Sequence, residues 1–196
     1  MVVGVKDRIL KDMKDLIRVM ETIAASGDLQ DKIGQIAGII LTAFKKGRRL
    51  YLFGCGGSAA DAQHIAAEFV NKMFMLRPAL PAVALTTDSS VLTAIGNDDT
   101  FDHVFSRQVE ALVKEGDVVM GISTSGSSES VILGLRAGRE RGATTILLTG
   151  GSPNHHRDIA DHVVRVPSTS TPRIQEAHIA IAHIICTIVE EDSLHG

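Results

Sequence analysis

Between Gly54 and Glu68 the chain reads Gly54-Cys55-Gly56-Gly57-Ser58-Ala59-Ala60-Asp61-Ala62-Gln63-His64-Ile65-Ala66-Ala67-Glu68. This follows an apolar run, Leu50-Tyr51-Leu52-Phe53, of the kind that forms a buried strand. Glycines then turn the chain and alanines open a helix. A strand, a glycine turn and a helix in that order put free helix N–H groups at the end of a strand. Glycine lets a ligand approach the backbone with no Cβ in the way. The helix start favours an anion. Beyond it, His64 and Glu68 stand at i and i+4, on one helix face. The stretch reads as an anion cradle with a His/Glu pair within one or two helix turns, roughly 10 Å. That combination suits a phosphorylated substrate with acid–base or metal chemistry beside it.

The rest of the chain repeats the alternation. Runs rich in β-formers fall at 49–54, 82–86, 117–122, 144–149 and 162–166. Helical patterns fall at 58–74, 88–96, 101–115 and 128–141, with a poorer one near 153–160 and a long final one over about 172–192. Five strands separated by helices predict an α/β domain with a parallel sheet and right-handed crossovers. Ligands of such sheets bind at the carboxyl ends of the strands, where the chain direction switches. Ahead of the first strand, residues 5–25 and 29–46 carry apolar residues at helical spacing, split by Ser26-Gly27-Asp28. A helical hairpin over 1–47 thus precedes an α/β core over 48–196, in one domain. The apolar face of the hairpin has two equal uses, packing on its own sheet or forming an oligomer.

Composition removes several functions. Aromatics make up 4% of the chain and the net charge is −3, which argues against a nucleic-acid surface. The basic cluster Lys45-Lys46-Gly47-Arg48-Arg49 reads as a helix C-terminus closed by glycine. Cys55 and Cys186 form no C-x-x-C motif, so a reducing, cytoplasmic setting is expected. No apolar h-region marks a signal peptide in residues 1–15. The apolar segment 177–189 is too short to span a bilayer, so no membrane partner is expected.

Three further stretches are chemical candidates. Ser123-Thr124-Ser125-Gly126-Ser127-Ser128 follows the third strand and opens a helix. Hydroxyls and free N–H groups there make a phosphate nest, while Ser127 or Ser128 is placed to cap the helix. Two such turns in one sheet point to a phosphosugar or nucleotide, and no Walker or dinucleotide signature is present. Gly96-Asn97-Asp98-Asp99 reads equally as a helix stop and as a sugar-hydroxyl contact. In the final helix, His178 and His183 lie five apart, so they do not share a face and at most one reaches a given site.

The segments 56–64, 94–98, 105–109, 121–126 and Arg173-Ile174-Gln175-Glu176 resemble the phosphoheptose isomerases, in order and at matching spacing over nearly the whole chain. The resemblance implies a flavodoxin-like, three-layer sugar-isomerase (SIS) fold, a homotetramer and one zinc ion per subunit. Carried over by position, it implies His64, Glu68, Gln175 and His183 as metal ligands. It implies Ser123, Thr124, Ser125 and Ser128 around the substrate phosphate. Cys55, Gly56, Gly57, Ser58, Asn97, Asp98 and Gln175 would contact the rest of a phosphorylated seven-carbon sugar. The reaction implied is isomerisation of sedoheptulose 7-phosphate to D-glycero-D-manno-heptose 7-phosphate, a precursor for surface polysaccharide. Cys55 stands where the family usually has Asn, Lys72 where it usually has Arg, and the loop 150–156 differs from the family's glycine-rich version.

Moving a proton from C1 to C2 through an enediol needs a base near both carbons and an acid for the oxygens. Glu68 is the expected base and His183 the expected acid. Gln175 and His183 lie eight apart, about 12 Å along a helix. One helix would therefore struggle to present both to a single ion, and we expect a site shared between subunits, with at least one of the two coming from another chain. The chain also resembles initiator-associating SIS proteins that bind the replication initiator DnaA, through 78–82 and 173–176. That branch lacks counterparts of Glu68 and His183, both of which this chain keeps, so the enzyme is the preferred reading and a non-catalytic binder the alternative.

Overall fold

The computed structural model describes residues 4–151 and 158–194. The chain starts with helices Val5–Ala24 (α1) and Gly27–Lys45 (α2). Strand Leu50–Gly54 (β1), helix Gly57–Val70 (α3), strand Ala82–Ala84 (β2) and helix Ser89–Asp98 (α4) follow. Next come helix Ser106–Leu112 (α5), strand Val118–Ser123 (β3) and helix Glu129–Glu140 (α6). Strands Thr144–Thr149 (β4) and His162–Arg165 (β5) precede the last helix, Thr171–Leu194 (α7). The five strands pair in parallel in the order β2-β1-β3-β4-β5. Chain direction across the sheet reverses between β1 and β3, the ligand-binding crevice of this topology.

Strand side chains alternate between two cores, as the pleat requires. Leu50, Leu52, Met120, Ile122, Ile146 and Leu148 pack with α2, α3 and α7. Tyr51, Phe53, Val119 and Leu147 pack with α5 and α6 on the other face. Phe53 stacks on Phe105 at 4.9 Å, and Phe44 meets Phe69 edge-on at 5.4 Å.

The two hairpin helices differ in how much they bury. Helix α2 buries Ile33, Ile36, Ala37, Ile40 and Phe44 on the sheet. Its end bears Lys45 in the last turn and Gly47 at φ 69°. Helix α1 buries only Val19 and Ile23, leaving Ile9 55% and Met13 62% exposed.

Several elements are shorter than their patterns predict. Strand β2 stops at Ala84, because the hydroxyls of Thr86 and Thr87 donate to the carbonyls of Ala59 and Ala84 and turn the chain. The pattern at 101–115 splits into a 3-10 turn, Phe101–His103, and the short α5. Asp117 takes the N–H of Lys114 at 2.8 Å and draws the chain toward β3. The pattern at 58–74 ends at Val70, where the carbonyls of Glu68 and Phe69 are taken by Arg77 at 2.8 Å each. The poorer helical pattern near 153–160 and most of the loop 150–156 lie outside the described residues; Asp158 and Ile159 form a turn. Among the described residues no helix is long and apolar enough to cross a membrane.

Candidate active site

Two helices start at the β1/β3 switch point without a side-chain cap. Helix α3 begins behind Gly56, whose φ of 60° and ψ of −123° suit glycine alone. Helix α6 begins behind Ser128, whose hydroxyl does not cap it, contrary to the capping role open to Ser127 or Ser128. Two other helix starts, those of α2 and α4, are closed by a side chain: Ser26 accepts the N–H of Leu29 and Asp88 that of Val91. Instead, the Ser128 hydroxyl lies 3.2 Å from that of Ser130, and the Cys55 thiol lies 3.5 Å from Ser130 and 3.9 Å from Ser128. This triangle ties the end of β1 to the start of α6. Ser130 is buried and bridges the other two. Nothing in the run Ser127-Ser128-Glu129-Ser130 singles it out by sequence.

Within the turn, the buried Ser123 accepts the N–H of Gly126, and Ser125 accepts both the N–H and the hydroxyl of Ser127. Thr124 is half-buried, and its carbonyl takes the N–H of Gly150 at 3.1 Å. Ser58 is buried beneath the glycine turn. Cys55, Gly56 and Gly57 are exposed at the mouth. The Gln175 amide lies against Gly57 so closely that a Cβ there would collide with it.

The second cluster lies farther along α3. His64 Nε2 is 2.8 Å from His183 Nε2 and 3.6 Å from Glu68 Oε1. The rings meet edge-on, with centroids 5.1 Å apart. Helices α3 and α7 run side by side in the same direction: Gly57 faces Gln175, His64 faces His183, and residues 73–75 face Glu190. Glu68 is eleven residues beyond Gly57, about 16 Å along a straight helix, so it lies farther from the cradle than the two turns expected. Cys186, buried beside Glu68, has its thiol pushed up to about 12 by burial first and then by the carboxylates of Glu68 and Glu190. Burial also pushes the Asp61 carboxyl up against the pull of His64, and its Oδ2 has no hydrogen-bond partner among the described residues.

The eight-residue spacing on α7 keeps Gln175 and His183 apart within one chain. His183 reaches His64 within one chain, so it is not borrowed from a neighbour. Gln175 stands at the cradle, roughly two turns of α3 away, so one chain does not bring all four proposed ligands together. His178 is buried with neither ring nitrogen in hydrogen-bond geometry among the described residues, so only one of the two histidines joins the site. Burial pushes it down to about 4, which the nearby Thr149 backbone does not offset. Asn97 and Asp98 are exposed at the end of α4, where Asn97 donates to Asp98 at 2.7 Å. Asp98 opens on a cavity shared with Asp99, His103 and Arg107, not on either cluster. Lys72 is exposed, past the end of α3.

Among the described residues no three His, Cys, Asp or Glu side chains form a ready metal cage. The donor chemistry of His64, Glu68 and His183 nonetheless fits one ion, since two imidazoles and a carboxylate are a common catalytic zinc set. Zinc bonds of 2.0–2.1 Å at tetrahedral angles would hold the two nitrogens about 3.3 Å apart, a small opening from 2.8 Å.

Known proteins share this sequence and fold. The SIS domain family matches residues 13–150. The phosphoheptose isomerase of Clostridium acetobutylicum is 49% identical over 187 residues, 95% of each chain. The solved phosphoheptose isomerase of Neisseria gonorrhoeae is 41% identical with a TM-score of 0.87, covering 96% of this chain and 100% of its own. That of Francisella tularensis is 33% identical with a TM-score of 0.91, covering 96% and 99%.

Proposed function

The chain belongs to the phosphoheptose isomerases, and from that premise we propose that His64, Glu68 and His183 of one chain act on a sugar whose phosphate sits in the cradle of a neighbouring chain. The enzyme is an aldose–ketose isomerase that converts sedoheptulose 7-phosphate into D-glycero-D-manno-heptose 7-phosphate for heptose biosynthesis. The observation that carries the site reading is the contact of His64, Glu68 and His183 in one cluster.

Glu68 takes the C1 proton and returns it to C2, and His183 serves the C1 and C2 oxygens as they exchange carbonyl for hydroxyl. Uncapped N–H groups of α3 and α6, with the hydroxyls of Ser123, Thr124, Ser125 and Ser128, hold the phosphate. Cys55, Gly56 and Gly57 line the mouth, and Asn97 and Asp98 contact the sugar only if a neighbouring chain brings them there. Within one chain an extended sugar would have to lie along most of α3 to join cradle and carboxylate. A neighbour's cradle would bring its own Gln175 with it. That Gln175 would then complete the set begun by His64, Glu68 and His183. These residues would hold one zinc ion, which supplies Lewis-acid polarisation of the carbonyl when bound.

The same reading needs at least two chains, and we propose that they assemble as a homotetramer. Val5, Ile9, Met13 and Ile17 recur every four residues on the exposed face of α1, an apolar stripe that marks an association surface. Two free cysteines are consistent with a cytoplasmic, reducing setting.

Glu68→Gln tests the chemistry: isomerisation of sedoheptulose 7-phosphate is lost while the fold, read by circular dichroism, remains. Mixing tests the sharing. Glu68→Gln protein and a Ser123→Ala/Ser128→Ala protein, each inactive alone, regain activity when unfolded and reassembled together. A mixture that stays inactive would mean that each chain carries a whole site.

A further inference from the structure

Two turns past His183, on the same face of α7, stands Glu190, and its carboxylate is saturated. Oε2 accepts the N–H groups of Phe74 and Met75 at 2.7 and 3.0 Å, and Oε1 accepts that of Met73 at 2.9 Å. Arg77 Nε donates to Oε1 at 3.1 Å, and the two side chains are 2% and 1% exposed. Burial works against the Glu190 charge, but these N–H groups and the guanidinium outweigh it and hold the carboxyl below its ordinary range. The rest of the guanidinium turns back to α3. Nη2 donates to the carbonyl of Glu68 itself and Nη1 to that of Phe69, each at 2.8 Å. Nη1 also reaches the Pro78 carbonyl at 3.0 Å.

We infer that Arg77 and Glu190 are positioning residues for the isomerisation, fixing the backbone of Glu68 and the axial register of α7 so that Glu68 and His183 keep their reactive spacing. Neither touches substrate. The last carbonyls of a helix otherwise lack partners and fray. Here they are held by a planar fork whose other edge is anchored to the helix carrying the acid. One bifurcated cation thus joins the main chain of the base to the helix of the acid, with the 73–75 backbone gripped between them. Catalytic geometry has to be kept within about 0.5 Å, and a shift near 1 Å costs on the order of 100-fold in rate. A salt bridge serving the fold alone would not have to end on the carbonyl of the catalytic residue.

The proposal rests on the reading of Glu68 and His183 as base and acid, and its test is separable from that reading. Arg77→Lys keeps the cation beside Glu190 and loses the fork. Glu190→Asp keeps the anion and draws it back by one methylene. Each is expected to lower kcat roughly tenfold or more per folded molecule. KM for sedoheptulose 7-phosphate and competitive inhibition by inorganic phosphate should stay within about threefold, because the cradle lies at the other end of α3. An unchanged kcat per folded molecule overturns the proposal. So does a kcat loss matched by an equal loss of phosphate affinity, or a failure of both variants to fold, each of which would make the pair structural. If Glu68→Gln stays active, the reading of the site fails instead, and that result is visible without any Arg77 variant.

Discussion

The two ends of the α3–α7 pair are built on opposite rules. At the start of α3, glycines, an uncapped helix and the amide of Gln175 surround an open space. At its end, polar groups close on one another: carbonyls on Arg77, N–H groups on Glu190, and the two charges on each other. Polar groups left open at a helix start invite an outside anion. Polar groups closed by burial hold the chain to itself, and removing either partner exposes the other's charge to the interior. The middle of the pair, where His64, Glu68 and His183 meet, has to combine access with rigidity, and it is only half-buried.

Substitutions at either end sharpen this contrast. Glu190→Ala leaves Arg77 buried without a counter-charge and should cost about 3–5 kcal/mol at neutral pH, read from urea midpoints. Because the folded Glu190 carboxyl is held below its ordinary value of 4.5, its contribution is complete above that pH and fades as pH falls through the folded value. Glu190→Gln should therefore approach wild type in stability as the solution is acidified, and a gap that widens in acid would break the account.

His178 gives the next effect. Its imidazole is neutral and buried, at about 4 against an ordinary 6.5. Unfolded chains bind its proton first, so wild-type stability should fall by about 3 kcal/mol as pH drops from 6.5 to 4. His178→Leu should remove that slope, measured by denaturation at a series of pH values. An unaltered slope would show that the ring takes up its proton as readily in the fold as in the unfolded chain.

The smallest effects compare helix starts. Asp88→Ala removes a true cap and should cost about 1 kcal/mol. Ser128→Ala removes no cap, so stability should stay within about 0.5 kcal/mol. On our proposal that Ser128 helps hold the phosphate, affinity for inorganic phosphate should fall roughly tenfold. Equal destabilisation by the two changes would erase the distinction between closed and waiting helix starts.

Much of this was legible in the sequence because it is local. Leu50–Phe53 followed by glycine, and Ser123–Ser128 after a buried run, announce their strands and turns by composition alone. His64 and Glu68 share a face by arithmetic. The clamp was not legible: Arg77 precedes a proline and Glu190 sits in an acidic run, so both look like surface residues. They are 113 residues apart, and only the packing of α7 along α3 brings them together. The same packing explains why α3 stops at Val70 although apolar residues continue to Met75. The separation of cradle and carboxylate along α3 was understated, because motif spacing suggests one compact pocket when the helix axis carries them apart.

The shared direction of α3 and α7 sets a rule for how this chain can vary in length. Loops such as 71–81 can gain or lose residues where neither Glu190 nor Arg77 grips them. Inside α7 there is no such slack, since one inserted residue between 175 and 190 would turn everything after it by about 100°. Gln175, His183 and Glu190 behave as teeth on a single key, cut at intervals that only wholesale replacement of the helix could change.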